Sequence, residues 1–205
     1  MDNAVALVQA YLNLNGYFTV TEYPVLEMQR GRRFRVVTDL DILAFRFPHA
    51  GRRVIGDAAR ATRFETDPEL GCPVGQSDMI IGEVKEGRAE LNRGARNPKV
   101  IAAVLARFGC CSADTVAGVV ETLLRDGRAV TETGHCVRLL AFGSVNPNGV
   151  SESFESLALR HVVEYLQSYL RQHWEVLRHA QFKHPAFSFL MTLEKALRHG
   201  SAAGA

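Results

Sequence analysis

The sequence predicts a mixed α/β domain: a central four-stranded sheet flanked by helices, with a helical extension at the C-terminal end. Three observations carry this. FRVVTDLDILAFRF (34–47) and MIIGEVKE (79–86) are largely apolar segments that read as buried strands. Segments with capping residues and apolar positions at helical spacing flank them. The elements run helix, strand, strand, strand, helix, strand to about residue 142, and beyond that point only helical periodicity remains.

The first helix begins at Asp2 or Asn3, which can cap it, and carries the stripe Ala4, Leu7, Val8, Tyr11 and Leu12 before Gly16 ends it. YFTVTEYPVLEM (17–28) is rich in aromatic and β-branched residues and predicts a strand. If regular, it places Phe18, Val20, Glu22, Leu26 and Met28 on one face, although Pro24 removes a ladder donor and favours an edge or a bulge. RGRR (30–33) is a turn into the strong strand that follows. Residues 48–77 lack a clear period and form a long connection. NPKVIAAVLARFG (97–109) has Asn97 as cap, Pro98 in the first turn and Gly109 past the end; a second helix runs from Ser112 to about Arg125. RAVTETGHCVRLLAFGS (128–144) reads as a short strand, a turn at Gly134 and a longer strand, and VNPNGVSES (145–153) as a linker. A long helix then carries Leu159, Val162, Val163, Leu166, Leu170, Trp174 and Leu177, a stripe suited to core packing or a homodimer contact. A last helix covers Ala186 to Leu197. The expected division is a core over 1–145, with a helical insertion at about 110–127, and an extension over 150–205.

With 47% hydrophobic residues among 205, the chain can bury a substantial core. A net charge of +2 neither requires nor excludes a nucleic-acid partner. Arginines are nevertheless clustered: Arg30, Arg32, Arg33 and Arg35, then Arg46, Arg52, Arg53, Arg60 and Arg63, a run that reads as a solvated hairpin and loop or as phosphate contacts. The four cysteines form no CxxC pair and there is no secretory leader, so a reducing, cytoplasmic setting is expected, with no zinc site. No apolar run approaches the roughly 20 residues of a membrane-spanning helix.

Charges intrude on both apolar strands. Asp39 and Asp41 are two apart on one, and Glu83 and Lys85 two apart on the other, so each pair is expected to share a face. Buried carboxylates are expensive unless paired, and a divalent cation or Lys85 can pair them. Asp78 and Glu86 fall on the opposite face of their strand and are expected to be solvated. The histidines lack compact ligand spacing.

LDILAF with Asp41, followed by GEVKEG with Glu83, Val84 and Lys85, resembles the signature of the PD-(D/E)XK, restriction-endonuclease-like nucleases. The element order is similar to that family's αβββαβ core over roughly residues 4–142. The resemblance implies a Mg²⁺- or Mn²⁺-dependent nuclease acting on nucleic acid, with DNA the favoured substrate. It implies Asp41, Glu83 and the Val84 carbonyl as metal ligands and Lys85 as the group that orients or helps deprotonate water, with Asp39 and Glu22 as auxiliary carboxylates. Leu40 stands where the family often has proline, and the first helix offers no inner glutamate. Two other readings compete. Residues 98–142 can be read as a winged-helix-type DNA-binding regulator, although Asp114, Thr115, Glu121 and Thr122 give its second helix few base-reading groups. The chain can also be a catalytically silent scaffold of the same fold.

Overall fold

The computed structural model describes residues 2–53, 63–146 and 153–202. Its elements are α1 (Asn3–Leu14), β1 (Phe18–Gln29), β2 (Arg33–Arg46), β3 (Arg52–Arg53), β4 (Arg63–Phe64), β5 (Asp78–Arg88), α2 (Pro98–Phe108), α3 (Val116–Asp126), β6 (Arg128–Val130), β7 (Cys136–Val145), β8 (Glu155–Ala158), α4 (Leu159–Gln172), α5 (Trp174–Leu177) and α6 (Pro185–Ala202). Asp2 caps α1 by accepting from the Ala4 N–H, and Asn97 caps α2 through Lys99. Gly109 and Gly127, both left-handed, close α2 and α3.

The main sheet has six strands rather than four, in the order β1-β2-β5-β7-β6, with β8 also on β7. β1, β2 and β5 form an antiparallel meander, and β7 joins β5 in parallel. The free edge of β7 is shared: β6 pairs with its first residues and β8 with Leu140–Gly143. Hence the segment beyond 150 supplies an edge strand as well as helices. The expected linker lies largely in 147–152, outside the described residues. The expected single long helix is broken at His173 into α4 and α5.

The sheet separates two apolar clusters. One face packs Ile42, Ala44, Ile80, Leu140 and Phe142 against α1, α4 and α6. The other packs Leu40, Leu43, Met79, Ile81 and Leu139 against α2 and α3. Each fully buried Leu or Ile contributes about 1.5–3 kcal/mol, so this double-sided burial explains why β5 and β7 are apolar almost throughout.

Side-chain alternation breaks on β2 where Leu40 and Leu43 face α2 while Ile42 faces α1. Asp41 occupies the break. Across the ladder, between the pairs Thr21↔Ile42 and Tyr23↔Leu40, stands Glu22 with φ 52°. A second irregularity follows between Val25 and Leu26. The common face expected of β1 is therefore broken: Phe18 and Val20 lie across from Phe45 and Leu43 on the α2 side, whereas Leu26 and Met28 alternate with buried Val25 and fall on the other side, and all four are exposed, as is Glu22. Beyond Val25 the β1–β2 hairpin projects as a two-stranded arm, with the pairs Leu26↔Val36 and Met28↔Phe34 forming an exposed apolar ladder.

A buried ionic cluster fastens the start of β5 to β7. Arg138 Nη2 lies 2.6 Å from Asp78 Oδ2, and both side chains are almost wholly buried. Tyr17 donates to Asp78, and Arg138 Nη1 donates to the Leu70 carbonyl and to Glu155, tying β8 into the same network. Asp78 is thus a buried partner rather than a solvated residue. Among the described residues no helix is long and apolar enough to cross a membrane.

Candidate active site

β2 and β5 pair only from Ile42↔Gly82 to Arg46↔Asp78, whereas β5 stays paired with β7 through Lys85↔Gly143. The sheet therefore forks, and Asp41 and Glu83 are the first residues past the last β2–β5 pair. Gly82 permits the close approach at that point, since a Cβ there would sit 2.6 Å from Ile42 Cγ2. Past the fork a ladder N–H loses its carbonyl, and Asp41 replaces it: the Val84 N–H donates to Asp41 Oδ2 at 2.8 Å.

Glu83 and Lys85 alternate with Val84 on β5, which puts both on the α2 side with Ile81. Lys85 Nζ is 3.0 Å from Glu83 Oε2 and 3.4 Å from Asp41 Oδ2. Sequence reasoning missed Asn92, whose amide donates to Glu83 Oε2 at 2.7 Å while its own oxygen accepts from the Ala95 N–H at 2.7 Å. An asparagine in a turn before a helix carries no sequence signal for this contact. Glu83 is fully buried, and its Oε1 accepts no hydrogen bond among the described residues.

Burial, followed by the charge of Asp41, pushes the Glu83 carboxyl up to about 7 against the opposing pull of Lys85. Burial opposes the Lys85 ammonium, but the hydrogen bonds and charges of Glu83 and Asp41 outweigh it and raise its pKa.

The structure thus brings Asp41, Glu83 and Lys85 together, and separates the other expected residues from them. Asp39 is exposed; Leu40, between it and Asp41, packs toward α2, so the two aspartates do not repeat on one regular face. Glu22 sits opposite Asp41 in register but is exposed. Arg30, Arg32, Arg33 and Arg35 lie exposed at the arm's tip, Arg35 paired with Glu27 at 2.8 Å. Arg33 is about 26 Å along the strand from Asp41. Arg46 is buried and donates to the Asn15 and Ala50 carbonyls, a structural role. Arg60 and the side chains of Arg52, Arg53 and Arg63 lie outside the described residues.

Among the described residues no group of three or more His, Cys, Asp or Glu side chains is placed to hold a metal ion. Two carboxylates with one unfilled oxygen nevertheless fit a hard cation of the Mg²⁺ type, which commonly takes one or two carboxylates and completes its shell with water and phosphate oxygens. The chain matches no protein-family model, curated protein or solved structure.

Proposed function

We propose that the chain is a Mg²⁺- or Mn²⁺-dependent nuclease with a restriction-endonuclease-like core, hydrolysing nucleic-acid phosphodiester bonds, DNA being the favoured substrate. The observation that carries this reading is the forked sheet, where Glu83, buried with a free oxygen, meets Asp41 and Lys85. The antiparallel β1–β2–β5 meander with β7 parallel to β5 also supports it.

In this reading Asp41, Glu83 and the Val84 carbonyl would hold the cation, which would supply positive charge toward the scissile phosphate and lower the pKa of a water. The bond that Asp41, on β2, accepts from the Val84 N–H of β5 fixes its carboxylate at the fork, beside Glu83. Asn92 fixes Glu83 through Oε2, and Oε1, which accepts no hydrogen bond among the described residues, would be available to a cation. Lys85, 3.0 Å from Glu83 and 3.4 Å from Asp41, is the group that orients or helps deprotonate the attacking water and offsets charge on the phosphate. Strand alternation places Gln29 and Glu27, with their partners Arg33 and Arg35, on the same side as Tyr23 and Val25, where the arm can meet more distant phosphates.

A DNA-binding regulator built on 98–142 has less in its favour. α2 and α3 bury Val100, Ile101, Val104, Val119, Val120 and Leu123 against the sheet, and β7 is an internal strand rather than a free wing. A silent scaffold leaves the cost of burying Glu83 unexplained.

The test is incubation with single-stranded, duplex and branched DNA and with RNA, in Mg²⁺, in Mn²⁺ and in chelator. Cleavage should require the cation and fall roughly 10²- to 10⁴-fold in Glu83→Gln and in Lys85→Ala. Undiminished cleavage by either folded variant would remove the assignment.

A further inference from the structure

Phe18 pairs with Phe45 and Val20 with Leu43, so these four share one face of the sheet, the face of α2 and of the candidate active site. α2 and α3 do not cover this outer part. Phe18 is 69% exposed and Val20 46%. Together with Tyr23, Phe108 and Arg107 they line a concavity of about 290 Å³, near the lower end of the ~300–1,000 Å³ typical of ligand pockets. That is room for one flat ring system, not for a large ligand.

Charge tells what kind of ring. From Leu91 to Ala113 the chain carries Arg93, Arg96, Lys99 and Arg107 and no acidic residue, and all four cations are exposed. Lys99 and Arg107 are eight apart on α2, about 80° from one another around its axis and both off its buried stripe, and Arg107 rims the concavity. α2 starts close behind Asn92, which touches Glu83, and ends at Phe108 in the concavity. A cationic line therefore runs from the carboxylates to the aromatic surface. Measured along β2, Phe45 is about 13 Å from Asp41, a few nucleotides.

Resting on the nuclease reading above, we propose that this aromatic concavity stacks an unpaired base of the substrate strand, whose phosphates follow Arg107 and Lys99 to the bond at Asp41 and Glu83. The substrate class is then nucleic acid with a single-stranded segment. In a duplex both faces of each base are already stacked, so the surface discriminates against paired strands, while any base presents a π-face to it.

The experiment is fluorescence anisotropy with the full chain in EDTA, using labelled 15-nucleotide oligo-dT and a 15-base-pair duplex. Phe18→Ala, on an exposed side chain, should weaken oligo-dT binding about 5- to 150-fold and leave duplex binding within about twofold; Phe18→Trp should restore it. Arg107→Ala should weaken binding and reduce the salt slope by about 1. Wild-type oligo-dT affinity in Phe18→Ala overturns the proposal, as does an equal loss for duplex or a loss that Phe18→Trp does not restore. Displacement by an apolar peptide but not by oligo-dT assigns the surface to a protein partner and overturns it too. Cleavage by Glu83→Gln is scored separately: if it persists while Phe18 still controls oligo-dT affinity, the cleavage centre is misplaced and the stacking surface stands.

Discussion

Glu83→Gln should stabilise the metal-free protein at and above neutral pH, although the residue stands at the centre of the candidate site. Folding takes this carboxylate out of water and sets it beside Asp41, which pushes it up to about 7 from an ordinary 4.5. Since the folded pKa exceeds the unfolded one, the native state binds more protons than the unfolded state between those values. Ionisation of Glu83 therefore subtracts stability progressively as pH rises through that window, and fully above it. At ~1.36 kcal/mol per pKa unit the loss is roughly 3 kcal/mol. Glutamine is neutral throughout, keeps an oxygen to accept from Asn92, and leaves half-exposed Lys85 its bond to Asp41. Urea unfolding in EDTA from pH 4 to 9 should show the two proteins equal near pH 4 and the variant ahead by roughly 3 kcal/mol at pH 8.5 or above. A variant less stable than wild type at pH 8.5, or a gap that does not change with pH, would refute the electrostatic account of the fork.

Mn²⁺ at about a hundredfold over its Kd should add ~2.7 kcal/mol to wild type, a Tm increase of roughly 5–10 °C, absent in Glu83→Gln and Asp41→Asn; no shift in wild type would remove the cation from the site. Arg138→Met leaves Asp78 buried and unpaired and should cost ~3–5 kcal/mol in urea unfolding, with Asp78→Asn added to it costing less than the two separate losses combined; a loss under about 1 kcal/mol would show the pair is not needed. Gly143→Ala puts a Cβ into the Ala89 backbone and should cost ~1–3 kcal/mol, whereas Gly118→Ala, in open space on α3, should gain up to ~1 kcal/mol by calorimetry.

The parts of this structure legible in the sequence are those governed by local pattern. Apolar runs with charges at a spacing of two were enough to put Glu83 and Lys85 on one strand face, whereas Asp41 became their expected neighbour only through the resemblance to the PD-(D/E)XK signature. Caps and glycines placed α2 within a residue of its ends. What stayed hidden depends on partners distant in sequence. Asp78 opens an apolar run and looks like a solvated strand end until Arg138, 60 residues later, is seen inside CVRLLAF; a lone arginine in so apolar a strand was the available signal. β8 is only four residues long and is defined by the exposed half of β7's edge, not by its own composition. The regular alternation expected of β1 fails because Glu22 turns the strand with a positive φ, which no local residue preference announces for glutamate.

The fork makes the remaining link between fold and chemistry. In a continuous β2–β5 ladder the Val84 N–H would meet a carbonyl, and nothing would draw Asp41 toward β5. Where the strands part, that N–H needs an acceptor, and the nearest one available is a carboxylate. The same divergence leaves Glu83 in contact with Asp41, too buried to be hydrated, and with only one of its oxygens hydrogen-bonded. The apolar packing of β5 and β7 on both faces maintains an arrangement that is unfavourable in isolation, and a divalent cation would relieve it by replacing the proton that Glu83 otherwise retains near neutral pH. Stability and cation affinity are then opposite readings of one strain. Any substitution that closes the fork or neutralises Glu83 should raise the first as it lowers the second.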